Sequence, residues 1–389
     1  MTAAGVTPTS TSAAAIDQRS PAANHRRRIR RRHHRACRTG RTGRTTDRTE
    51  GQDAMTAIHS SGVELGFEQT VPRATAHRRA VGEVFVTDSA RLSDDEFLLA
   101  WQIPRAHSLW GDRTVPHHDP FSIAEAARQG SFVVVHRYLD IPLDLPFTLR
   151  RFDFRVGALE PFRDDGRAPL QGLLRYRISD REFRGGELGT MTLTGTLEIG
   201  GAPVMTVSGD TVFLSRADYE ALRAFQRARK HLADIPPWKP AAPVDPAAVG
   251  RRDRRNVVVG EPTEPAEPVV LAEPVAPAGQ VRYPLVIDRA HPSYFDHDYD
   301  HVPGPFIVEG FRQTALLSAT AEGALLSPVA AMTGLRTTFS GYGEFEGPLE
   351  YVAEPAVRRP GAVEVRVGLR QFGTEIAEGR IELSPYPYA

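Results

Sequence analysis

An internal duplication is the feature that most constrains how this chain can fold. Residues 104–129 read PRAHSLWGDRTVPHHDPFSIAEAARQ, and residues 288–313 read DRAHPSYFDHDYDHVPGPFIVEGFRQ. The two segments align without a gap at a constant offset of 184 residues. Further upstream, HRRAVGEVFVTD at 77–88 resembles RRNVVVGEP at 254–262 at a shifted offset. This period is far longer than that of solenoid repeats, so the duplication predicts two similar domains rather than a repeat array.

Both repeats share one coarse pattern. Short apolar runs lead into a loop rich in His, Asp and Pro, and an apolar helix follows at 120–139 in the first repeat and at 305–326 in the second. Each helix has apolar residues on nearly every face, which is typical of a helix wrapped by a sheet. Segments of alternating polarity follow both helices and indicate antiparallel strands. These segments are 168–183, 189–200, 204–214, 335–345, 349–359, 362–373 and 374–384. The pattern predicts an α+β fold with a long helix packed into an antiparallel sheet.

Charge divides the chain unevenly. The first 54 residues carry twelve arginines against four acidic residues, a net charge of +8, so the remaining residues carry −8 because the whole chain is neutral. A segment with so much like charge and so little to bury is expected to be disordered, and we expect translation to start at Met55. The assignment along the chain is a disordered Arg-rich extension at 1–54, the first repeat at 72–215, a connector helix and Pro-rich linker at 216–250, and the second repeat at 251–389 with a Pro/Glu-rich insertion near 261–278.

Missing motifs exclude several kinds of chemistry. The single cysteine, Cys37, lies in the Arg-rich extension, which excludes a disulfide framework and a thiol nucleophile in the folded body. The sequence contains no Gly-x-Ser-x-Gly elbow, no phosphate-binding Gly-x-x-x-x-Gly-Lys loop and no Gly-x-Gly-x-x-Gly motif after a strand. It also contains no run of 18 apolar residues, so we expect no membrane span and a cytoplasmic protein. What remains is chemistry carried by His, Glu and Arg.

Two charged residues stand three positions apart in each predicted helix. Glu125 and Arg128 share one helix face in the first repeat, and Glu309 and Arg312 share one in the second. One interpretation is a buried ion pair that only fixes the packing, and such pairs are weak evidence for stability. The recurrence of Glu-x-x-Arg-Gln at the same distance from a His-rich loop favours a functional site in which both side chains point into one cavity.

The loop before the second helix contains two Asp-His pairs, Asp296-His297 and Asp300-His301. A zinc or iron site is one interpretation, but no third histidine follows at ligand spacing. A histidine general base oriented by an aspartate fits the spacing equally well. The first repeat has Arg113 where the second has His297, so the second repeat is the better candidate for the chemistry.

These motifs resemble those of a known family. The segment HVPGPFIVEGFRQ resembles the helix entry of hotdog-fold acyl-thioester enzymes, including the β-hydroxyacyl-carrier-protein dehydratases. The closer resemblance, over nearly all of residues 72–389, is to the A-factor synthase (AfsA-type) family of actinobacteria. HRRAVGEVFVTD, PRAHSLWGD, DPFSIAEAARQ and FDHDYDHVPGPFIVEGFRQ match that family's pattern in order. The resemblance implies two tandem hotdog domains that form an intramolecular pseudo-dimer, as a monomer or within a homodimer.

The resemblance also implies an acyltransferase. Such enzymes move a β-ketoacyl chain from an acyl-carrier-protein thioester to a hydroxyl of dihydroxyacetone phosphate. The ester then closes to a butenolide on the way to a γ-butyrolactone or furan-type signalling molecule, and we expect no cofactor, metal, membrane or nucleic acid to take part. The catalytic candidates are Glu309, His297, Arg312, His301 and Asp296. The substrate-binding candidates are Arg128, Glu125, His107, His117, His291 and Gly304.

The roles of these candidates follow from their chemistry. Glu309 or His297 would take the proton of the hydroxyl. Arg312 or Arg128 would bind the phosphate through two parallel hydrogen bonds. The first turn of the helix that begins near Gly304 would polarise the thioester carbonyl.

Three alternatives stay open at this point. A hotdog thioesterase or dehydratase would act on the same thioesters without the phosphate substrate. A non-catalytic module would bind a butyrolactone and not turn it over. A DNA-binding regulator would use the Arg-rich extension, and the charge of −8 on the rest of the chain argues against it.

Overall fold

The fold is taken from a computed structural model. It describes residues 57–60, 62–232, 235, 237–263 and 279–387. The expected disorder of 1–54, the expected start at Met55 and most of the insertion near 261–278 lie outside the described residues. Within the described part, no helix is long and apolar enough to cross a membrane.

The order of helices and strands repeats along the chain. The first half contains β1 (Ala57–Ser60), β2 (Val63–Gly66), β3 (Val86–Arg91), β4 (Glu96–Ile103), α1 (Pro120–Tyr138), β5 (Phe147–Val156), β6 (Leu170–Arg184), β7 (Glu187–Ile199) and β8 (Ala202–Phe213). Helix α2 (Arg216–Ala228) follows. The second half contains β9 (Val281–Pro284), α3 (Gly304–Ala321), β10 (Ala330–Phe339), β11 (Glu350–Ala353), β12 (Val357–Arg359), β13 (Ala362–Gln371) and β14 (Thr374–Pro385).

One antiparallel sheet runs through both halves. Its strand order is β3-β4-β6-β7-β8-β5-β10-β14-β13-β11-β9, with β12 paired to β13, while β1 and β2 form a separate hairpin. The halves join where β10 pairs with β5, with Gly334 opposite Arg155 and Leu335 opposite Phe154. The prediction of two tandem hotdog domains is therefore confirmed, and the junction makes them one pseudo-dimer. The domain boundaries at 72–215, 216–250 and 251–389 stay predictions.

Strand β5 was missed by the sequence analysis although it forms this junction. Its segment, FTLRRFDFRV, carries three arginines, and its pairing with β8 shifts register between Leu149 and Arg151. A bulge at that point interrupts the alternation of polar and apolar side chains by which a strand is recognised in a sequence. The pattern of period two is clear only from Phe152 onward.

Both long helices are buried on nearly every side, as predicted. Most residues of α1 and α3 have almost no exposed surface, including the polar Ser122, Gln129 and Gln313. Helix α3 ends at Ala321 rather than continuing to 326, because Gly323 adopts a left-handed conformation with φ of 67° and closes the last turn by donating to Thr320. This packing holds the helix faces that carry Glu125 and Glu309 inside the protein.

Candidate functional site

Two buried Glu-Arg pairs form the centre of the molecule. Glu125 and Glu309 are 2% and 0% exposed, so each carboxylate depends on protein donors. The Nε and Nη2 atoms of Arg128 donate to Glu125 at 2.7 and 2.8 Å, and those of Arg312 donate to Glu309 at 2.9 and 2.6 Å. This two-point contact is the geometry expected for residues three apart on a helix. The sequence interpretation of a shared helix face holds in both repeats.

A second arginine, which the sequence analysis missed, completes each pair. Arg78 donates to Glu125, and Arg251 donates to Glu309 through Nη2 at 2.9 Å. The sequence does contain this correspondence, but at an offset of 173 residues and not at 184. At that offset, HRR at 77–79 aligns with GRR at 250–252. The same offset relates Phe85 to Val258. The backbone N–H of Phe85 donates to Gln129, and that of Val258 donates to Gln313.

These two arginines tie each helix to the loop of the opposite repeat. Nη1 of Arg78 donates to the Ser293 carbonyl at 3.2 Å and lies 3.5 Å from Asp296 Oδ1. Nη1 of Arg251 likewise donates to the Leu109 and Asp112 carbonyls at 3.2 and 3.0 Å. Each site is therefore composite, with the helix from one repeat and the Asp-containing loop from the other.

This crossover changes the grouping of the predicted residues. His297 lies with Arg128 of the first repeat, at a cavity of about 220 Å³, and not with Glu309 and Arg312 of its own repeat. Among the hydrogen bonds and ion pairs of the described residues, none joins His297 to Glu309 or Arg312. The sequence analysis expected these three side chains to act together, and the structure instead places His297 beside the helix of the opposite repeat.

We call the site with Arg78, Glu125, Arg128, Asp296 and His297 the open site. Its cavity has apolar walls with a few polar groups. The lining side chains that bear on chemistry are His77, Arg128, His297, Tyr299, His301 and Gly304. The apolar wall comes from Phe132, Phe147, Leu149, Phe152, Tyr176 and Leu193. A second cavity of about 450 Å³ shares Phe147, Leu149, His301 and Gly304 with it, so the two spaces meet at the first turn of α3.

The related site with Arg251, Glu309, Arg312, Asp112 and Arg113 is the closed site. Arg113, which stands where His297 stands in the open site, is tied to Asp164 at 2.6 Å. The N-terminus of α1 beside it is capped, since Asp119 accepts from the backbone of Phe121 at 3.0 Å. The side chain of Tyr386 packs against His117 at a ring distance of 5.1 Å. Arg113 and Asp119 thus stand at the positions that His297 and Pro303 have in the open site.

The N-terminus of α3 differs from that of α1. Pro303 occupies the position of Asp119, and no side chain caps the helix. A side chain added at Gly304 would meet no atom within 4 Å, so the first turn faces open space. The backbone N–H groups at such an end carry partial positive charge and are available to an anionic or polarised oxygen.

Both Asp-His pairs of the loop are formed. His297 Nδ1 lies 2.6 Å from Asp296 Oδ1 and His301 Nδ1 lies 2.6 Å from Asp300 Oδ1. Burial opposes ionisation of Asp296, but hydrogen bonds from His297 and from a backbone N–H outweigh it and lower the pKa of Asp296. Asp300 is held by the Tyr219 hydroxyl at 2.8 Å and by Arg223 at 3.1 Å. The pairs keep one nitrogen of each imidazole occupied and leave Nε2 for a ligand.

The two glutamates are not suited to act as bases. Burial alone would raise the pKa of each, but the neighbouring arginines and a glutamine outweigh burial and lower the pKa of Glu125 and Glu309 to about 2. A carboxylate stabilised in this way holds a proton weakly at neutral pH. Their observed role is to fix the arginines, and the catalytic assignment of Glu309 has no support from this geometry.

Three other predicted binding residues lie away from the open cavity. His107 and His291 accept backbone N–H groups of their own loops through Nδ1, and Nε2 of His291 contacts Asn256 at 2.9 Å while that of His107 lies 3.3 Å from Glu83. His117 is buried in the closed site. These side chains hold the loops in shape, so the structure gives no support to substrate contact. Within the described residues, no cluster of His, Cys, Asp and Glu could hold a metal ion.

The fold and the composite site define a tandem hotdog protein. The chain belongs to the family whose model is described as the A-factor biosynthesis hotdog domain, which matches residues 61–215 and 234–387. A relative from Streptomyces virginiae, named 2-oxo-3-(phosphooxy)propyl 3-oxoalkanoate synthase, is 30% identical over 74% of this chain and 87% of its own length. A protein of the same name from Streptomyces coelicolor is 27% identical over 76% of this chain and 86% of its own length.

A solved structure is similar at a greater distance. An acyl-ACP thioesterase from Bacteroides thetaiotaomicron VPI-5482 is 10% identical, covers 75% of this chain and all of that chain, and gives a TM-score of 0.42. A likeness this weak has no bearing on activity.

Proposed function

We propose that this protein is an acyltransferase that joins a 3-oxoacyl group to a hydroxyl of dihydroxyacetone phosphate, the reaction for which its Streptomyces relatives are named. The product is a 2-oxo-3-(phosphooxy)propyl 3-oxoalkanoate, the precursor of a butenolide or γ-butyrolactone signal. The acyl donor is an acyl-carrier-protein thioester. The observation that carries the proposal is one cavity in which an imidazole, a guanidinium and an uncapped helix end converge.

His297 is the group that moves the proton. Asp296 accepts from its Nδ1, so Nε2 bears the lone pair, and the carboxylate stabilises the imidazolium that forms. The hydroxyl proton passes to Nε2 as the hydroxyl oxygen attacks the thioester carbon. The C–S bond then breaks and the same proton passes to the departing sulfur, so the imidazole returns to its starting state.

The first turn of α3 stabilises the oxygen of the tetrahedral intermediate. Gly304 lines the cavity at the positive end of the helix, and negative charge that develops on the thioester oxygen is favoured there. Arg128 binds the phosphate group of the acceptor. Nε and Nη2 of this side chain are fixed by Glu125, which leaves Nη1 for an anion in the cavity.

The test is acyl transfer by the purified protein with and without dihydroxyacetone phosphate. Carrier-bound 3-oxoacyl thioester plus dihydroxyacetone phosphate should give the ester, identified by mass spectrometry, and His297→Gln should lower kcat by roughly 10²–10⁴-fold. His117→Gln, in the closed site, is the matched control and should keep wild-type kcat. Release of free 3-oxo acid at the same rate without the phosphate substrate would make the protein a thioesterase instead.

A further inference from the structure

His77 lines the open cavity and has no part in the proposed mechanism. Its ring lines the cavity beside Arg128 and packs against Phe132 and Phe147, with ring centroids 4.6 and 5.3 Å away. It is also held in the left-handed backbone region, with φ of 52°. The residue that corresponds to it in the closed site is Gly250, which has φ of 69°. Left-handed conformations suit glycine and strain other residues. An imidazole is therefore kept at a position where the related repeat has the unstrained residue.

A second histidine fixes which nitrogen of His77 is free. Nδ1 of His136 lies 2.7 Å from the carbonyl oxygen of Ile141, and a carbonyl only accepts, so Nδ1 of neutral His136 bears the hydrogen. Nε2 of His136 is then an acceptor. It lies 2.6 Å from Nε2 of His77, which must donate to it. Nδ1 of His77 is left with a lone pair and has no hydrogen-bond partner among the described residues.

The fixed charges around this nitrogen sum to zero. Arg78 and Arg128 are matched by Glu125 and Asp296 in a single network of ion pairs. Burial, the adjacent His136 and the cations Arg128 and Arg78 lower the pKa of His77 to about 3, so His77 is neutral at pH 7. A phosphate monoester is mostly a dianion at neutral pH. It would enter a site with no net positive charge, which is unfavourable unless an imidazole gains a proton.

We propose that His77 and His136 form a proton-linked subsite for the phosphate group, so that His77 takes up a proton as the dianion binds beside Arg128. Once protonated, His77 donates from Nδ1 to a phosphate oxygen and from Nε2 to His136, so both N–H groups have acceptors. The proton comes from solvent and no covalent bond changes. This inference rests on the proposed function, because it names the part of the open site that recognises the acceptor.

Calorimetric titration with dihydroxyacetone phosphate, without acyl donor, tests the subsite apart from catalysis. The experiment is run at pH 7.5 in PIPES and in Tris, whose ionisation enthalpies differ, so that the difference in heat gives the number of protons taken up. The wild-type protein should take up close to one proton per phosphate bound. His77→Asn, which tolerates the left-handed backbone, should lose that uptake and bind at least tenfold more weakly. His77→Gly, which copies Gly250, should do the same with a folded melting profile.

Controls separate the sources of each effect. His231→Gly relieves a similar left-handed strain, φ of 48°, at an exposed residue and should leave uptake and affinity unchanged. Inorganic phosphate should show uptake with weaker binding, and unphosphorylated dihydroxyacetone should show none. Uptake that persists in both His77 variants, or that is absent in the wild-type protein, overturns this inference while leaving acyl transfer intact. A wild-type protein that binds no dihydroxyacetone phosphate at all overturns the proposed function, and this subsite with it.

Discussion

The guanidinium of Arg128 binds the carboxylate of Glu125 and also lies against the ring of Phe132. Nε and Nη2 hold Glu125, and the side chain lies over the ring of Phe132 at 4.8 Å while lining the open cavity. A lysine at this position would keep the charge, but it could not hold the carboxylate at two points and still present a donor to phosphate.

Arg128→Lys should therefore raise the KM for dihydroxyacetone phosphate by roughly 10–100-fold with a smaller change in kcat. Steady-state kinetics with saturating thioester measures both constants. Arg137→Lys, on the same helix and exposed, is the control and should behave as wild type. An unchanged KM in Arg128→Lys would remove Arg128 from phosphate recognition.

Glu309 has a structural role, because it is buried in the closed site between Arg251 and Arg312. Glu309→Gln keeps the shape of the side chain but leaves Arg251 and Arg312 with only Asp119, 3.5 Å from Arg251, as a counter-charge, so unfolding free energy at pH 7 should fall by roughly 3–5 kcal/mol. The pKa of Glu309 is lowered to about 2 in the folded protein. A lowered carboxyl pKa stabilises the fold above the unfolded value and loses this effect as pH falls from about 4.5 to about 2.

Urea unfolding across that pH range checks the assignment. The wild-type protein should lose stability steeply between pH 4.5 and 2, and Glu309→Gln should show a shallower loss because one of the responsible carboxylates is gone. Glu187→Gln, at an exposed strand end, should follow the wild-type curve. A variant as stable as wild type at pH 7 would show that the pair of arginines does not depend on this carboxylate.

The sequence located the charged residues but not their partners. Spacing within a helix places Glu125 with Arg128 and Glu309 with Arg312, and both pairs are observed. Which loop faces which helix depends on contacts between residues more than 200 positions apart, such as Arg78 with Asp296. A periodicity argument holds no information about such contacts, so it could not place His297 beside Arg128 rather than beside Glu309.

At the scale of elements, the two long helices differ at one end. Helix α1 begins with Asp119 as a capping residue, and α3 begins with Pro303 and has no side-chain cap. The duplication makes this difference informative, because the two helices have the same surroundings in most other respects. The capped N-terminus of α1 lies at the closed site, whereas the uncapped N-terminus of α3 opens into the cavity of the open site.

Pro303→Asp should convert the open end into a capped one. Pro303 already has the extended backbone of a capping residue, with φ of −66° and ψ of 143°. The new carboxylate would accept the N–H of Phe306, because Pro305 has none, stabilise the protein by roughly 0.5–2 kcal/mol, and compete with the thioester oxygen. We expect kcat/KM for transfer to fall at least tenfold while the melting temperature holds or rises. Pro303→Ala controls for the loss of proline, and equal activity of the two variants would exclude a role for the free helix end.

The hydrophobic pattern of the sequence predicts β13 and β14 but not β5. Strand β13 alternates strictly, with Val363, Val365 and Val367 all buried. Strand β5 joins two domains, and its Arg151 pairs with Asp210 on the neighbouring strand β8 and with Asp153 on β5 itself. The side chains of β5 lie at the junction between the two domains and not in one hydrophobic core. The alternation of polar and apolar residues along β5 is therefore weak.

At the scale of the whole molecule, the sheet that joins β5 to β10 makes one chain sufficient for the open site. Arg78 and Glu125 come from the first half, and Asp296, His297 and Gly304 come from the second, within one polypeptide. The two pseudo-equivalent sites that such a duplication creates have diverged. The open site keeps an imidazole and an uncapped helix, whereas the closed site has Arg113 and Asp119 in their places.

A mixing experiment tests whether each chain builds its own site. Arg128→Met and His297→Gln should each be inactive, and they lie on opposite halves of the chain. If the open site is assembled within one polypeptide, each mutant chain has one defective site, and co-expression of the two full-length variants should restore no activity. If halves were exchanged between chains, about half of the sites in a mixed dimer would regain both residues. Purification through a different tag on each variant isolates any mixed assembly, and acyl transfer to dihydroxyacetone phosphate at a substantial fraction of the wild-type rate would show that the site is shared between chains.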